Sequence, residues 1–375
     1  MRRVDTLLQF ATTSLVLIGL VVLYSTSSAR SSDPHFFLKR QLTWLLVMGV
    51  PAYCVLSRLD YHIWRKYCWP FLGICAFLLV LVLIPGIGIR VKGSARWLGV
   101  GPFRIQPSEF AKIAIVAGMA AYMSRYGRQG RQLLKGLIYP LSGLGVFALL
   151  LVLEPDYGAT AIIVLIGLVV MFAGGTRFAY LLVLGLAGLG GFVALIFQNP
   201  NRLGRVKAFL YPELYPDQAY HLTQSLYAFY LGGLTGVGLG NSMQKRFYLP
   251  EAHTDFIFAI IAEELGFLAS IAVLLLFALY FACGMWISFR ASDTFGRLLG
   301  FGITMMIGLQ AAVNIAVVTG LAPTKGLALP FISYGGSNLI SSLMMTAILS
   351  SIARGSADGN GVTSRAKAKD RLHYG

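Results

Sequence analysis

The sequence predicts an all-α polytopic membrane protein, a bundle of ten transmembrane helices with a long loop between the seventh and eighth. Three observations carry this reading. Of 375 residues, 57% are hydrophobic and only 12% are charged. Apolar runs of roughly eighteen residues or more, the length a helix needs to cross a bilayer, recur along the chain. The basic residues lie in short segments between those runs, where helix ends meet anionic headgroups.

Taken in order, the spans are expected near 7–26, 41–57, 70–86, 108–124, 136–153, 158–175, 178–197, 256–289, 298–319 and 331–353. Arg2 and Arg3 precede the first run, as in a signal peptide. The run is too long for one, and no small-residue cleavage site follows, so a retained helix is expected. Cys54, Cys68, Cys75 and Cys283 show no metal-ligand spacing and read as packing residues. An even number of spans puts both termini on one side. The Lys/Arg bias, with the long 198–255 loop set aside, makes that side the cytoplasm. Residues 355–375 are polar, Gly/Ser-rich and basic, and are expected to be a disordered cytoplasmic tail outside a 1–354 membrane domain. The net charge of +16 is spread over helix ends, which argues for membrane lipids and against nucleic acid.

Two loops on the outer side are long. Segment 85–107 is Gly-rich and carries Arg90, Lys92, Arg96 and Arg104 without an acid. Segment 198–255 has Arg202, Arg205 and Lys207 early, then an amphipathic stretch, then the glycine-rich GGLTGVGLGNS. Connections of that length are usually functional. The loop ends in PEAHTDFIFAIIAEELG, which packs Glu251, His253, Asp255, Glu263 and Glu264 into the mouth of an apolar run. Ionisable groups at a membrane helix are costly and mark candidate sites. Asp255 is the sharpest of these, although an acid also suits the positive end of a helix. A helix over 256–289 would be about 51 Å long at 1.5 Å per residue. Its first turns are therefore expected above the hydrocarbon, with Glu263 and Glu264 near the headgroups.

Glu109 and Lys112 open the fourth span three residues apart, on one face. They form either a mutually neutralising pair or a substrate contact. Lys325 is the only charge between Arg297 and Arg354. It lies between proline-broken helix ends, and Ser333 follows in FISYGGSN. Exposed backbone donors with a lysine suit a phosphate or diphosphate. They equally suit a tight helix–helix turn.

The stretches PEAHTDFIFAIIAEELG, RWLGVGPFRIQPSEFAK and PTKGLALPFISYGGSN together resemble the SEDS family (shape, elongation, division and sporulation), over about residues 5–354. Ala252 and Lys325 favour its division members over its elongation members. The resemblance implies a peptidoglycan glycosyltransferase that polymerises lipid II at the division septum, on the outer face of the bacterial inner membrane. It implies an essential acid at Asp255. It also implies partnership with a class B penicillin-binding protein transpeptidase and other division proteins. Asp255 then serves as general base or as ligand of a divalent cation such as Mg or Mn, and the residues leave both open. Arg96, Arg202, Arg205 and Lys325 are the cations expected near the diphosphate, with Glu109, Lys112, His253 and Ser333 as further substrate contacts. Two rival readings remain, a lipid II flippase and a non-catalytic division scaffold.

Overall fold

A computed structural model describes residues 1–27, 33–91, 94–101, 103–198, 200–324 and 326–373. The chain is helical nearly throughout. Helix α1 (Arg2–Ser27) is followed by α2 (Phe36–Trp44) and α3 (Val50–Arg58), which are continuous through a π turn at Leu45–Gly49. Then come α4 (His62–Leu83), α5 (Pro107–Tyr126), α6 (Tyr139–Leu153), α7 (Tyr157–Ala173) and α8 (Phe178–Phe197). The long loop folds into α9 (Pro200–Leu210) and α10 (Pro216–Gly232). The bundle closes with α11 (Ile257–Phe289), α12 (Thr294–Val318) and α13 (Gly336–His373), the last continuing past Arg354 into the basic tail.

Among the described residues, six helices are long and apolar enough to cross a membrane: Arg2–Ser27, His62–Leu83, Leu134–Leu153, Ile257–Phe289, Thr294–Val318 and Gly336–Ser356. Tyr157–Ala173 and Phe178–Gly191 are shorter apolar helices. The protein is therefore a polytopic helical membrane protein. Helix α5 is its axis: fifteen of its residues, from Pro107 to Met123, are buried. Small residues (Ala111, Ala114, Ala117, Gly118, Ala120, Ala121) let neighbours approach it closely, which is how helices associate without a hydrophobic driving force. The outward faces of the other helices carry exposed Leu, Val and Phe, as a lipid-facing surface does.

Two features differ from the sequence reading. Segment 85–107 is not an irregular loop but a small antiparallel sheet of β1 (Ile89–Val91), β2 (Ser94–Val100) and β3 (Phe103–Ile105), in the order β1-β2-β3. Nor is α11 one straight helix. It breaks at Gly266, where φ is +81°. The glycine-rich turn after α10 fills the break. Val237 and Gly238 donate their amides to the carbonyls of Glu263 and Glu264, and Phe267 and Leu268 donate to Gly233 and Leu234. Backbone groups freed by a broken helix at membrane depth must find partners within the protein, and here a second chain segment supplies them. A Cβ on Gly236 or Gly266 would run into the facing backbone, so only glycine fits this contact.

Candidate functional site

Asp255 lies in the turn just before α11, whose N-cap is Phe256. It is half-buried and does not itself cap the helix. The main chain around it is tied down residue by residue. Tyr334 donates its amide to the His253 carbonyl at 3.0 Å. Ser333 Oγ donates to the Thr254 carbonyl at 2.6 Å and accepts from the Leu329 amide at 2.8 Å. Asn314 Nδ2 donates to the Asp255 carbonyl at 2.9 Å and to the Leu327 carbonyl at 2.6 Å. Asn314 thus clamps the Asp255 turn to the α12–α13 connection. One helical turn deeper, Gln310 donates to the Ala328 carbonyl at 2.9 Å. Positions 310 and 314 are four apart and share a face of α12. Gly326 comes so near that a Cβ there would stand 3.1 Å from Asp255 Oδ2. The two facing segments each hold a non-glycine residue in the left-handed region, Glu251 at φ 59° and Phe331 at φ 66°. Strain of that kind persists only where surrounding contacts enforce it.

The His253 ring stacks on Phe37 at 4.1 Å, and Tyr334 lies edge-on to Phe37. Gln41, fully buried on α2, accepts from the Gly335 amide and donates to the Ser333 carbonyl. Burial raises the pKa of the Tyr334 phenol, while Arg40 and Arg104 nearby pull it back down. Two cations therefore face this end of the bundle beside the Asp255 turn.

Arg96, on β2, reaches the turn between α6 and α7, where its guanidinium donates to the Pro155 carbonyl and lies 3.8 Å from the Asp156 carboxylate. Arg202 on α9 covers the Tyr157 ring at 3.4 Å. Arg205, on the same helix, is exposed. Gly158 packs against Leu327, so this turn adjoins the loop that faces Asp255. The structure thus gathers Asp255, His253 and Ser333 into one cluster and sets Arg96 and Arg202 on its flank. Lys325 lies outside the described residues.

Glu109 and Lys112 sit deeper. The Lys112 ammonium pairs with Glu109 at 2.8 Å and also donates to Gln310 at 2.9 Å, and Ser341 donates to the other Glu109 oxygen. Both residues are buried within the bundle. Glu263 and Glu264 are buried too, not solvated at the headgroups, because the glycine turn folds over them. Glu263 accepts from Ser242 and from the Met243 and Gln244 amides. Glu264 accepts from Ser25 on α1 and pairs with Lys245. Among the described residues no three of His, Cys, Asp and Glu converge as metal ligands.

Arg40, Gln41, Asn314 and Tyr334 were not singled out by sequence reasoning. The available signal was an uncharged amide inside an apolar helix, rare enough in membrane spans to mark a hydrogen-bonding duty.

Comparison with known proteins identifies the family. The sequence profile of the FtsW, RodA and SpoVE family, described as cell cycle protein, matches residues 5–358. The chain is 44% identical over 356 residues to the probable peptidoglycan glycosyltransferase FtsW of Trichlorobacter lovleyi, covering 94% of this chain and 93% of that one. It is 43% identical to stage V sporulation protein E of Bacillus subtilis, covering 93% and 97%. Among solved structures it superposes on a chain of a peptidoglycan synthase complex with a TM-score of 0.78 at 28% identity, covering 93% and 97%. It superposes on the rod shape determining protein RodA of Thermus thermophilus with a TM-score of 0.69 at 26% identity, covering 92% and 95%. With a profile match over nearly its whole length, the chain belongs to the FtsW/RodA/SpoVE family, the SEDS proteins.

Proposed function

We propose that this chain is a peptidoglycan glycosyltransferase that polymerises lipid II into glycan strands, with Asp255 as its general base. The observation that carries the reading is the Asp255 turn, fixed through its backbone by Ser333, Tyr334 and Asn314 while its carboxylate faces the 326–327 loop. The activity for which the relatives are named supports the same reaction.

The acceptor GlcNAc 4-hydroxyl attacks C1 of the donor MurNAc. Its proton passes to Asp255 as the C–O bond forms, and undecaprenyl diphosphate leaves with the bonding electron pair. The α-linked donor becomes a β-linked product in one inverting displacement. Holding the carboxylate by rigid main chain places the base before substrate arrives, which is what proton transfer in the transition state requires. Arg96, Arg202, Arg205 and Lys325 are assigned to the diphosphate, where preorganised cations stabilise the charge developing on the leaving group. His253 and Ser333 shape the floor of the site. Among the described residues no group of three His, Cys, Asp or Glu side chains surrounds Asp255 to form a protein metal site.

The Glu109–Lys112 pair is the feature that would favour a flippase. Its partners are all internal, and we assign it to holding α5, α12 and α13 together beneath the substrate. We further assign ten spans to the membrane domain (1–354), with the long loop and Asp255 outside the inner membrane. Both termini then lie in the cytoplasm, including the basic tail 355–375. The septum is the site of action, and a class B penicillin-binding protein transpeptidase and other division proteins are the partners.

The test is polymerisation of labelled lipid II by the purified protein with its transpeptidase partner. Asp255→Asn keeps shape and removes the base, and is expected to lower the rate by about 10²- to 10⁴-fold with insertion unchanged. Near-normal polymer from this variant would overturn the assignment.

A further inference from the structure

Glu154 has no part in the chemistry proposed above. It is the C-cap of α6, at the negative end of the helix dipole, where an acid is least welcome. Its side chain is fully buried, and among the described residues neither carboxylate oxygen has a hydrogen-bond partner. A buried acid left in this way takes up a proton in preference to carrying a bare charge. Its pKa is pushed up to about 8, chiefly by burial and further by the Asp156 carboxylate, with Arg96 opposing. A second orphan lies in the same turn. Arg96 uses its two Nη atoms on Pro155 and Asp156, but among the described residues its buried Nε has no partner.

Among the described residues, the charged groups facing this turn are few. Asp156 belongs to the turn itself, Arg96 comes from β2, and Arg202 from α9 lies over the adjoining Tyr157 ring. At the start of α5 stands neutral Gln106, which donates to Asp156. Asp156 thus holds the Arg96 guanidinium, and Glu154 feels its charge without touching it.

We propose that Glu154 is a proton-dependent positioning residue for Arg96. Protonated, it leaves the guanidinium to Asp156 and to the Pro155 carbonyl, and β2 stays seated on the α6–α7 turn. Ionised, its two free oxygens draw the unpartnered Nε edge and turn Arg96 away from Asp156. The turn touches the loop facing Asp255 through Gly158 and Leu327, so this movement changes how the donor diphosphate is met. That consequence rests on the glycosyltransferase reading above, whereas the proton on Glu154 does not.

The experiment uses the full-length protein in detergent, as wild type, Glu154→Gln and Arg96→Lys. In infrared difference spectra of wild type minus Glu154→Gln, the carbonyl stretch of a protonated carboxylic acid is expected below about pH 8 and lost above it. Absence of that band, or its loss in the ordinary carboxylate range, overturns the proposal. Lipid II polymerisation is then followed across the same pH range with the transpeptidase partner present. The wild-type rate is expected to fall several-fold as pH rises through the Glu154 transition. Glu154→Gln should lack that step, and so should Arg96→Lys, which keeps the charge without the Nε edge. Matching profiles for wild type and Glu154→Gln overturn the positioning role. If wild type makes no polymer at any pH, the glycosyltransferase reading fails, and the infrared band still decides where the proton sits. Should Glu154→Gln fail to insert, Glu154→Met, uncharged and of similar length, serves the same comparisons.

Discussion

Glu264 and Glu154 are both acids buried from solvent at the Asp255 end of the bundle, and the protein treats them in opposite ways. Glu264 has a lysine and a serine on its oxygens. Among the described residues Glu154 has nothing on either oxygen. The first ties α1, α11 and the glycine turn together, and its charge is matched within the contact. The second sits at a helix C-terminus beside another carboxylate, where no contact rewards ionisation. A satisfied buried charge thus reads as scaffold, and an orphaned one as a group whose state can change. The Glu109–Lys112 pair falls with Glu264 on this division.

The sharpest way to break the comparison is to take away one half of the satisfied pair. Lys245→Met leaves the buried Glu264 carboxylate with Ser25 but without its cation, and is expected to cost about 3–5 kcal/mol of stability, read as a lowered unfolding midpoint in detergent. Adding Glu264→Leu should restore most of that loss, because an apolar pair of similar volume needs no partner. If the single variant is as stable as wild type, the contact is not what holds the turn. Next in size, Gly236→Ala puts a Cβ into the Glu264 backbone at a φ of +82°. Strain of that kind costs of order 1–3 kcal/mol, so melting should fall while Gly240→Ala, in open space, falls less. Asn314→Ala removes the hold on two carbonyls, each hydrogen bond contributing about 0.5–1.5 kcal/mol net. Polymerisation should drop more than stability, since the bonds position Asp255. Equal losses in both would make Asn314 simply a packing residue.

The orphan's effect is read against pH and not as a single midpoint. Glu154 has its folded pKa raised to about 8 from an ordinary 4.5. The folded state therefore binds the proton more tightly than the unfolded chain. Its stabilising contribution is fully present below about pH 4.5 and is lost as pH rises through about 8. Glu154→Gln should melt with a flatter pH dependence than wild type and be the more stable of the two near pH 8. Parallel melting curves would show that the carboxylate is already ionised in the folded protein.

Much of this was legible in the sequence. Apolar runs located the helices, since nothing but a helix or a closed barrel satisfies its backbone in lipid. Asp255, His253 and Ser333, which the structure brings close together, stand out in the sequence because polar residues at a helix mouth are costly to keep. The break in α11 was hidden because the apolar run continues through Gly266, and a lone glycine in such a run has no fixed meaning. The small sheet was hidden because its strands are only three to seven residues long and sit among glycines. Gln310 and Asn314 were passed over as ordinary helix residues, because their targets are carbonyls on a different segment and main-chain partners leave no trace in side-chain chemistry.

The glycine turn packed into the α11 break has one more consequence. Surface connections usually accept extra residues, because a flexible loop costs little to lengthen. Segment 233–238 is a connection by sequence but half of a helix junction by structure, with its amides and carbonyls in fixed register against 263–268. One inserted residue would slip that register and leave donors and acceptors facing the wrong partners. An epitope tag should therefore be tolerated at the exposed junction of α9 and α10, around Glu213, and be ruinous a few turns later in the chain. This chain's tolerance of added length is expected on the first side of α10 and not on the second.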